Sequence, residues 1–473
     1  MVGSQNRIPK QVHKIHLTAI CGTGMGALAC MLKEQGFAIS GSDQKIYPPI
    51  SDFLTERGIP IMDGFKPEHI SRGLDLVIVG NAVSRDNPEI KKMNQMGLPF
   101  CSMPQALNRF VAADKKVLLI AGTHGKTTTS SILAWMLYKA GLDPSFMIGG
   151  ILQNFNSNYR LGAGEHIVIE GDEYDTAFFD KDPKFMHYQP AMSVLTSVEF
   201  DHADIFRDLN HVQEAFGGFL SQLDRSSLLL VFDDDKNLRN LISKTGCRIE
   251  LYGKNHSSDW CLGDVFIDPP WTIFEVLKSG IRFGKFKTRL IGKHNLFNAL
   301  SVMAIAHHLG VPAEVISGAL ETFEGIKRRQ QIRGQKNRII VMDDFAHHPT
   351  AVRETIEAVK SFYSQNRLIA VFEPRTNSSM RKVFQTVYPA SFDFADLICI
   401  RQPPLLEKIP FKERFSSEQL VADLKKRGKD AHFYGNTESI IEFLSGEAKP
   451  GDLILVMSNG GFDNIHERLL DRL

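Results

Sequence analysis

The sequence predicts an α/β protein of three domains, each built around a mainly parallel sheet. Apolar strand patterns alternate with helix patterns along the chain, two of the strand-to-helix turns are rich in glycine, and the alternation restarts twice. The restarts predict domains at residues 1–111, 112–333 and 334–473. A length of 473 residues agrees with this, because it exceeds what one ordinary core supports.

Each block repeats the order of strand, turn and helix. The first begins with the strand KIHLTAI and the helix ALACMLKEQG, followed by the strands FAISGSD and DLVIVGNAV. The second opens with KKVLLIAGTHGKTTTSSILAWMLYKAG. The third runs from NRIIVMDDFAHHP through the helix TAVRETIEAVKSFY and the strand RLIAVFEPR to DLILVMSNGG. Helices between successive strands predict parallel, doubly wound sheets.

The composition argues against a broad nucleic-acid surface and against a disulfide scaffold. The 55 basic and 54 acidic residues nearly cancel, whereas a nucleic-acid surface needs a basic excess. The six cysteines are scattered without CxxC or zinc-like spacing, so we expect reduced thiols, most of them buried. We therefore expect no nucleic-acid partner.

The apolar stretch at residues 15–32 resembles a secretion signal in one respect, since Arg7, Lys10 and Lys14 precede it. Three glycines interrupt the stretch, however, and Ala27 stands where a lipid-attachment box carries Leu. No later run reaches the roughly 18–20 apolar residues that span a bilayer. We expect a cytoplasmic protein without membrane insertion.

The first glycine turn has the pattern Gly22-x-Gly24-x-x-Ala27, and Asp43 ends the second strand. Glycines there permit a tight turn and a close approach of the backbone to a diphosphate at the helix N-terminus. Alone, this pattern is typical of an NAD-dependent dehydrogenase, and it is also compatible with a turn that binds nothing.

The second glycine turn, GTHGKTTT, is a shortened phosphate-binding loop, because Ile120 occupies the place of the first glycine in GxxxxGK[ST]. Its backbone amides are expected to cradle phosphates, while Lys126 reaches the β and γ oxygens and a threonine hydroxyl binds Mg²⁺. The residues of this predicted ATP site are Gly122, Thr123, His124, Gly125, Lys126, Thr127 and Thr128. A second phosphate loop disfavours a simple dehydrogenase.

Acidic residues follow two later strands. These residues are Glu170, Asp172, Glu173 and Asp175 after HIVI, and Asp201, His202 and Asp204 after AMSVLTSVEF. Carboxylates at a strand end beside a phosphate loop are where a nucleotide site holds Mg²⁺. A solvated acidic loop and a structural histidine are the alternatives, but the nearby phosphate loop favours metal contacts.

Two segments near the end of the second block carry amide or basic side chains. The segment GKHNLFNA begins a helix with His294, Asn295 and Asn298, whose amides can read an adenine edge or cap the helix. The segment FEGIKRRQQ carries three basic residues, Lys327, Arg328 and Arg329. They can neutralise a transferring phosphoryl group, although exposed basic clusters are often only solvated.

The third block carries polar residues at two strand ends. MDDFAHHPT contains Asp343, Asp344, His347 and His348, and VFEPRTNSS contains Arg375, Asn377 and Ser379. A substrate carboxylate would explain Arg375, and a surface salt bridge would explain it nearly as well.

The chain resembles the Mur ligase family, which builds the peptide stem of the bacterial cell wall. The resemblance covers nearly the whole chain in GTHGKTTT, EGDEYD, the Asp-His pair, GKHNLFNA, the paired arginines and DDFAHHP. The segments THGK, GSD and AHHPT point to the branch that includes the ligase joining UDP-N-acetylmuramate to L-alanine. Longer segments look closer to a recycling branch that attaches the murein tripeptide L-alanyl-γ-D-glutamyl-meso-diaminopimelate: DEYDTAFFDKDPKF, EFDHADIF, EPRTNSSM and VMSNGGFDNIH.

The resemblance implies a Rossmann-like N-terminal domain for the UDP-sugar, a central P-loop ATPase domain and a C-terminal Rossmann-like domain for the incoming peptide. It also implies ATP and Mg²⁺. The lactyl carboxylate of UDP-N-acetylmuramate would attack the γ-phosphate of ATP, and the amine of the tripeptide would then attack the acyl phosphate. Phosphoryl transfer of this kind needs positioning and positive charge.

Carried over by position, the resemblance gives each motif a role. Lys126, His202 and Arg329 would be catalytic, and Thr127, Glu173 and His202 would hold Mg²⁺. Outside the loop 122–128, ATP would contact His294, Asn295, Asn298, Arg329, Asp344 and His347. The substrate site would comprise Gly22, Gly24, Ser42, Asp43 and Ser84 for the UDP-sugar, with Arg375, Asn377 and Ser379.

Two departures loosen these contacts: Ser197 stands where the family often has Asn, and Gln331 where it often has an acid. No lysine clearly matches the carbamylated lysine of some branches. The L-alanine ligase differs only in its acceptor, so the ATPase motifs do not separate it from the tripeptide ligase. A UDP-sugar or NAD-linked oxidoreductase would not need GTHGKTTT, and a nucleotide-binding regulator would not need Lys126, Glu173 and His202 together.

Overall fold

The computed structural model describes residues 6–48 and 50–473, which form three large sheets and one separate hairpin. The three large sheets correspond to the three predicted blocks, except that the first strand of the third sheet begins at residue 331. The predicted α/β class with three domains is therefore confirmed.

The N-terminal sheet is parallel throughout. Its strands are β1 (Lys14–Thr18), β2 (Ala38–Asp43), β3 (Ile61–Asp63), β4 (Leu76–Val79) and β5 (Phe100–Ser102). Its helices are α1 (Thr23–Glu34), α2 (Ile50–Glu56), α3 (Pro88–Met96) and α4 (Met103–Leu107). The order β3-β2-β1-β4-β5 places the switch of direction between β1 and β4, where such sheets bind ligands at their carboxyl ends.

The central domain contains ten strands in one sheet and a two-stranded hairpin. The strands before the hairpin are β6 (Lys116–Ala121), β7 (Ser145–Leu152), β8 (Ser157–Arg160) and β9 (His166–Glu170). The hairpin is β10 (Asp175–Ala177) and β11 (Asp180–Pro183). The later strands are β12 (Pro190–Leu195), β13 (Leu228–Phe232), β14 (Arg248–Gly253), β15 (Trp260–Asp268), β16 (Trp271–Lys278) and β17 (Ile281–Thr288).

The central sheet has the order β17-β16-β15-β14-β13-β12-β6-β9-β7-β8, with antiparallel pairs only at its two ends. The helices of this domain are α5 (Lys126–Lys139), α6 (Leu209–Gln222), α7 (Lys236–Leu241), α8 (Lys293–His308) and α9 (Ala313–Thr322). Alternate residues of β6 face the two sides, where α5 and α8 cover one face and α6 the other. The phosphate loop therefore lies at the middle of a sheet buried on both faces.

The C-terminal sheet consists of β18 (Gln331–Lys336), β19 (Ile339–Asp344), β20 (Leu368–Phe372), β21 (Leu397–Arg401), β22 (Asp430–Tyr434) and β23 (Leu453–Met457). The helices are α10 (Pro349–Phe362), α11 (Tyr388–Ser391), α12 (Ser417–Lys426), α13 (Thr437–Glu447) and α14 (Ile465–Arg472). The order is β18-β19-β23-β20-β21-β22, parallel except for β18.

The first strand of this sheet spans the boundary predicted after residue 333, and both predicted boundaries stay predictions. All six cysteines are free and buried, which agrees with the expectation of unpaired thiols. Over residues 6–48 and 50–473, no helix has the length and apolar character that crossing a bilayer requires.

Candidate functional site

The second glycine turn joins β6 to α5. Gly122 and Gly125 have φ values of 129° and 79°, which strongly favour glycine. A Cβ atom would lie 2.2 Å from Thr196 Oγ1 at Gly122 and 2.6 Å from Asn298 Oδ1 at Gly125. Among the described residues, no side chain caps the first turn of α5. The turn is thus fixed from two sides and leaves the amides of the helix N-terminus for a phosphate.

Lys126 is the first residue of α5, and its side chain turns back into the loop. Its Nζ donates to the carbonyl oxygens of Gly122 (2.6 Å) and Thr123 (3.2 Å) and to Glu173 Oε2 (2.7 Å). Burial disfavours the ammonium form, but Glu173 and Asp172 outweigh burial and raise the pKa of Lys126. Lys126 is therefore a fixed positive charge at the phosphate cradle.

The acidic residues divide between two partners in a way that the sequence did not predict. Thr127 Oγ1 donates to Glu170 Oε1 at 2.9 Å, and the N–H of Gly149 donates to Glu170 Oε2 at 2.7 Å. Glu173 Oε1 instead lies 3.0 Å from His202 Nε2. The structure thus brings Glu170 to Thr127, where the sequence analysis placed Glu173, and it pairs Glu173 with His202.

The same division appears in the electrostatics. Burial raises the pKa of Glu170, although Lys126 opposes the shift. Burial acts on Glu173 as well, but Lys126 and His202 outweigh it and lower the pKa of Glu173. A divalent cation beside Thr127 would supply positive charge that stabilises the ionised form of Glu170. The oxygen atoms of Thr127 and Glu170 are ligands of the kind that Mg²⁺ prefers.

Arg329, just before β18, and Asp344, at the end of β19, both approach the loop. Arg329 Nη2 lies 3.5 Å from Thr127 Oγ1. Asp344 accepts the backbone N–H groups of Gln330 and Ala346, both at 2.8 Å, so it fixes the turn that carries Arg329. The structure therefore places both predicted residues beside the phosphate loop.

A cavity of about 970 Å³ lies between the second and third domains. Its wall includes His124, Gly125, Thr127, Thr128, His294, Asn295, Asn298, Arg329 and Asp344. Burial lowers the pKa of His294 to about 4, so this residue is neutral at pH 7. The volume suits a nucleotide-sized ligand.

Three predicted ATP contacts have other partners. Asn298 Nδ2 donates to Asn295 Oδ1 at 3.4 Å, and Asn295 Nδ2 donates to Gln330 Oε1 at 3.2 Å. Both side-chain amides thus form hydrogen bonds within the protein, and this arrangement does not present them for the predicted contact with adenine. His347 faces Asp201, with 3.8 Å between Nε2 and Oδ2, and lies outside the cavity wall.

A network of histidine and glutamate joins the phosphate loop to the third domain. Glu199 Oε2 accepts from Thr350 Oγ1 at 2.6 Å and lies 3.4 Å from His124 Nε2. His348 accepts the N–H of Thr350 on Nδ1 at 3.2 Å, and its Nε2 lies 3.1 Å from the carbonyl oxygen of Phe200. His124, Glu199 and His348 offer atoms within 4.8 Å of one another, but these atoms already serve hydrogen bonds. The network is therefore a domain contact.

Acid should loosen this contact. Burial lowers the pKa of His348 to about 4, against about 6.5 in an unfolded chain. The neutral ring therefore contributes stability above pH 6.5, and this contribution of about 3 kcal/mol is lost as pH falls from 6.5 to 4. We expect thermal melting between pH 7.5 and 5 to show a smaller loss in His348→Asn, because asparagine can still cap α10 without a proton to bind. Some pH dependence of the melting temperature should remain in His348→Asn, because the pKa of His294 is lowered as well. An equal dependence of the melting temperature on pH in the two proteins would contradict this role of His348.

Four of the five residues predicted for the UDP-sugar remain accessible at the carboxyl ends of the N-terminal strands. Gly22 and Ser84 are exposed, and Gly24 and Asp43 are half-buried. Asp43 Oδ2 accepts the N–H of Cys21 at 2.9 Å and so shapes the first glycine turn. These positions are compatible with the predicted diphosphate cradle.

Ser42, the fifth residue, is fully buried, so the structure does not support it as a surface contact. Its hydroxyl donates to Glu89 Oε2 at 2.6 Å, and Glu89 Oε1 lies 2.7 Å from His69 Nδ1. Burial opposes ionisation of Glu89, but the His16 ring, whose Nε2 lies 3.8 Å from Oε2, and hydrogen bonds with Ser42 and His69 outweigh it and lower the pKa of Glu89. Ser42 therefore belongs to a buried polar network under the turn, which sequence reasoning missed.

The third domain positions Arg375 after β20. Arg375 Nη1 lies 3.5 Å from Glu373 Oε1, and fully buried Glu373 also accepts from Ser458 Oγ at 2.7 Å. A Cβ atom on Gly460 would lie 2.3 Å from Arg375 Cδ, so the side chain runs along the bare backbone of Gly460. The guanidinium is about one-third exposed (31%) and can receive a carboxylate.

Asn377 and Ser379 have structural partners instead. Asn377 Nδ2 donates to Asp204 Oδ2 of the central domain at 2.8 Å. Ser379 Oγ accepts the N–H of Arg375 at 2.9 Å and closes the turn. Of the three residues predicted here, Arg375 presents the accessible charge.

Gly460→Ala should therefore weaken acceptor binding while the fold is retained. The added methyl group displaces the flexible end of Arg375, and loss of one charge-assisted contact costs about 1.5–3 kcal/mol, or about 10–100-fold in KM for the acceptor. The matched control is Gly461→Ala, because a Cβ atom there meets nothing within 4 Å. An unchanged acceptor KM in Gly460→Ala would remove Arg375 from the substrate site.

Comparison with known proteins agrees with this arrangement. Three family models match the chain in order: "Mur ligase family, catalytic domain" over residues 14–115, "Mur ligase middle domain" over 120–306 and "Mur ligase, glutamate ligase domain" over 328–460. The UDP-N-acetylmuramate–L-alanyl-gamma-D-glutamyl-meso-2,6-diaminoheptandioate ligase of Escherichia coli (strain K12) is 38% identical over 461 residues, which cover 97% of this chain and 98% of the relative. The UDP-N-acetylmuramate–L-alanine ligase of Clostridium tetani is 31% identical over 95% of this chain and 96% of the relative.

Solved structures give the same relation. The crystal structure of a murein peptide ligase from Psychrobacter arcticus 273-4 matches with a TM-score of 0.72 and 33% identity, over 97% of this chain and 98% of that one. The UDP-N-acetylmuramate-alanine ligase of Thermotoga maritima matches with a TM-score of 0.80 over 97% of this chain and 98% of that one, and at 24% identity it supports the fold alone. With a full-length relative at 38% identity and three family models in order, the chain belongs to the Mur ligase family.

Proposed function

We propose that the protein is an ATP- and Mg²⁺-dependent ligase that joins the carboxylate of UDP-N-acetylmuramate to the amine of L-alanyl-γ-D-glutamyl-meso-diaminopimelate. One observation carries the proposal: the fixed cation Lys126 and the pair Thr127 and Glu170 lie at one phosphate cradle, which Arg329 reaches from the segment before β18. This arrangement supplies the positioning and the positive charge that phosphoryl transfer requires.

In the first step, the lactyl carboxylate oxygen attacks the γ-phosphorus of ATP, and ADP leaves. Lys126 and Arg329 would bind the phosphate oxygens, since both cations lie at the loop. Thr127 and Glu170 would hold Mg²⁺, which supplies further positive charge when bound. Glu173 contacts Lys126, and His202 contacts Glu173 in turn, so these two residues would orient Lys126.

In the second step, the amine of the acceptor attacks the acyl carbon, and phosphate leaves from the tetrahedral intermediate. Arg375 would bind a carboxylate of the acceptor. The contacts Asn377 to Asp204 and His348 to Phe200 hold the third domain against the central domain, which brings the acceptor site toward the acyl phosphate. ATP and UDP-sugars are cytoplasmic compounds, so we propose that the protein acts there, in peptidoglycan recycling.

The tripeptide is the proposed acceptor because the relatives named for it are 38% identical, whereas those named for L-alanine are 30–33% identical. The L-alanine ligase of de novo peptidoglycan synthesis remains the second candidate, since its relatives also match over nearly the whole chain. Both candidates share the phosphate-loop chemistry and differ only at the third domain.

Phosphate release tests the proposal. The protein is incubated with ATP, Mg²⁺ and UDP-N-acetylmuramate, and either the tripeptide or L-alanine is added. We expect rapid release with the tripeptide and little with L-alanine, together with a product of the mass of UDP-N-acetylmuramoyl-tripeptide. Turnover with L-alanine but not with the tripeptide would show that L-alanine is the acceptor. If neither acceptor stimulates phosphate release, the proposal of a ligase is rejected.

A further inference from the structure

The two-stranded hairpin β10–β11 lies between the acidic loop after β9 and the N-terminal domain, and it belongs to none of the three large sheets. Its tip carries Phe178 and Phe179, whose rings lie 5.1 Å apart. Both pack against a hydrophobic cluster of the N-terminal domain: Ile70, Val77, Val79, Val83, Ile90, Met93, Leu98 and Phe100. The rings of Phe179 and Phe100 meet edge to face at 4.9 Å.

The base of the hairpin is fixed to the acidic loop of the central domain. The N–H of Lys184 donates to the carbonyl of Tyr174 at 3.2 Å, and the N–H of Phe185 donates to the carbonyl of Asp172 at 3.3 Å. Lys184 Nζ also forms an ion pair with Asp172. These contacts enclose Glu173, which bonds to Lys126.

Phe185 then anchors the returning chain in the central core. It is fully buried, and its ring lies 5.1 Å from that of Phe216 and 5.2 Å from that of Phe219 on α6. On the other side of the loop, the ring of Tyr174 lies 4.1 Å from that of His202. The hairpin is therefore held in the central domain at its base and in the N-terminal domain at its tip.

This geometry matters for the proposed reaction, on which the inference rests. The N-terminal domain carries the sugar whose carboxylate must reach the γ-phosphate held at Lys126, so the two domains must keep a fixed separation. Only five residues lie between Glu173 and Phe179, and Val83 of the cluster precedes Ser84 at the predicted UDP-sugar site. We infer that the Asp175–Pro183 hairpin is a positioning element, and that Phe179 sets the reach of the sugar carboxylate to the phosphoryl group without touching either substrate.

The experiment compares Phe179→Ala and Phe179→Leu with Phe411→Ala, which removes a phenylalanine that is 82% exposed. Turnover and the dissociation constants for ATP and UDP-N-acetylmuramate are measured for each. We expect Phe179→Ala to lower kcat at least about tenfold with both dissociation constants within about threefold of the parent, because displacement of the reacting groups affects the chemical step. Phe179→Leu should restore most of the rate, and Phe411→Ala should match the parent. A single unchanged thermal transition confirms folding.

A second readout does not depend on catalysis. Spin labels at Lys91→Cys on α3 and Lys139→Cys on α5 report the distance between the two domains, since both positions are exposed and the native cysteines are buried. The distance distribution should broaden in Phe179→Ala and stay narrow in Phe411→Ala. An unchanged kcat, an unchanged distribution or a loss that appears only as weaker UDP-sugar binding would each overturn the inference. Absence of turnover in the parent would instead reject the proposed function, while the distance readout still tests the hairpin.

Discussion

Replacing Lys126 by alanine is expected to lower turnover by about 10²–10³-fold, because removing one group that stabilises the transferring charge costs about that much. The residue is a largely buried cation, 12% exposed, that contacts Gly122, Thr123 and Glu173. Loss of its ammonium removes charge from the γ-phosphate and leaves Glu173 with His202 as its remaining partner. Steady-state phosphate release with all three substrates measures the effect.

The control is Lys139→Ala at the other end of the same helix, where the side chain is exposed. It should keep normal turnover. Binding of UDP-N-acetylmuramate by Lys126→Ala should also stay near normal, because we propose that site in the N-terminal domain. Near-normal turnover of Lys126→Ala would remove this residue from the reaction.

Replacing Glu170 by alanine should have an effect of similar size, about 10²–10³-fold in kcat. Glu170 is the carboxylate beside Thr127, and its loss removes an oxygen ligand from the place where we propose Mg²⁺. The half-saturating Mg²⁺ concentration should rise as well. A Mg²⁺ titration of the initial rate measures both quantities.

Glu165→Ala is the matched control, because Glu165 precedes β9 and its side chain is 62% exposed. It should leave the Mg²⁺ requirement unchanged. Glu173→Gln gives the informative comparison: if Glu173 rather than Glu170 serves the Thr127 site, the Mg²⁺ requirement will rise in Glu173→Gln and stay normal in Glu170→Ala. That outcome would restore the assignment made from the sequence.

The glycine turns were predictable because their backbone conformation requires particular residue types at particular positions. Gly122 and Gly125 need positive φ, and Lys126 must follow them at the helix N-terminus. The order of strands and helices gave the three-domain class for the same reason, since buried parallel strands read as continuous apolar runs.

Partner choice among neighbouring polar residues was not predictable. Glu170 and Glu173 stand three positions apart on one strand end, and only the course of the loop after β9 decides which of them meets Thr127. Asn295 finds its partner in Gln330, 35 residues away along the chain. A local pattern cannot show that such an amide is already engaged within the protein.

Ser42 shows the same limit in the N-terminal domain. Its position in GSD indicated a substrate contact, but its hydroxyl turns inward to Glu89, 47 residues later. Phe178 and Phe179 at the hairpin tip received no role from the sequence, although they lie within the segment DEYDTAFFDKDPKF. Their partners belong to another domain, and only the tertiary arrangement of the two domains identifies the contact.

The central claim is that the muramoyl carboxylate accepts the γ-phosphoryl group of ATP before the amide forms. UDP-N-acetylmuramate labelled with ¹⁸O in its lactyl carboxylate tests it directly, with ATP, Mg²⁺ and the tripeptide present. An acyl phosphate requires that one carboxylate oxygen leave with the phosphate, so we predict ADP and inorganic phosphate carrying one ¹⁸O. Unlabelled phosphate beside a labelled amide, or label recovered in AMP, would contradict the account.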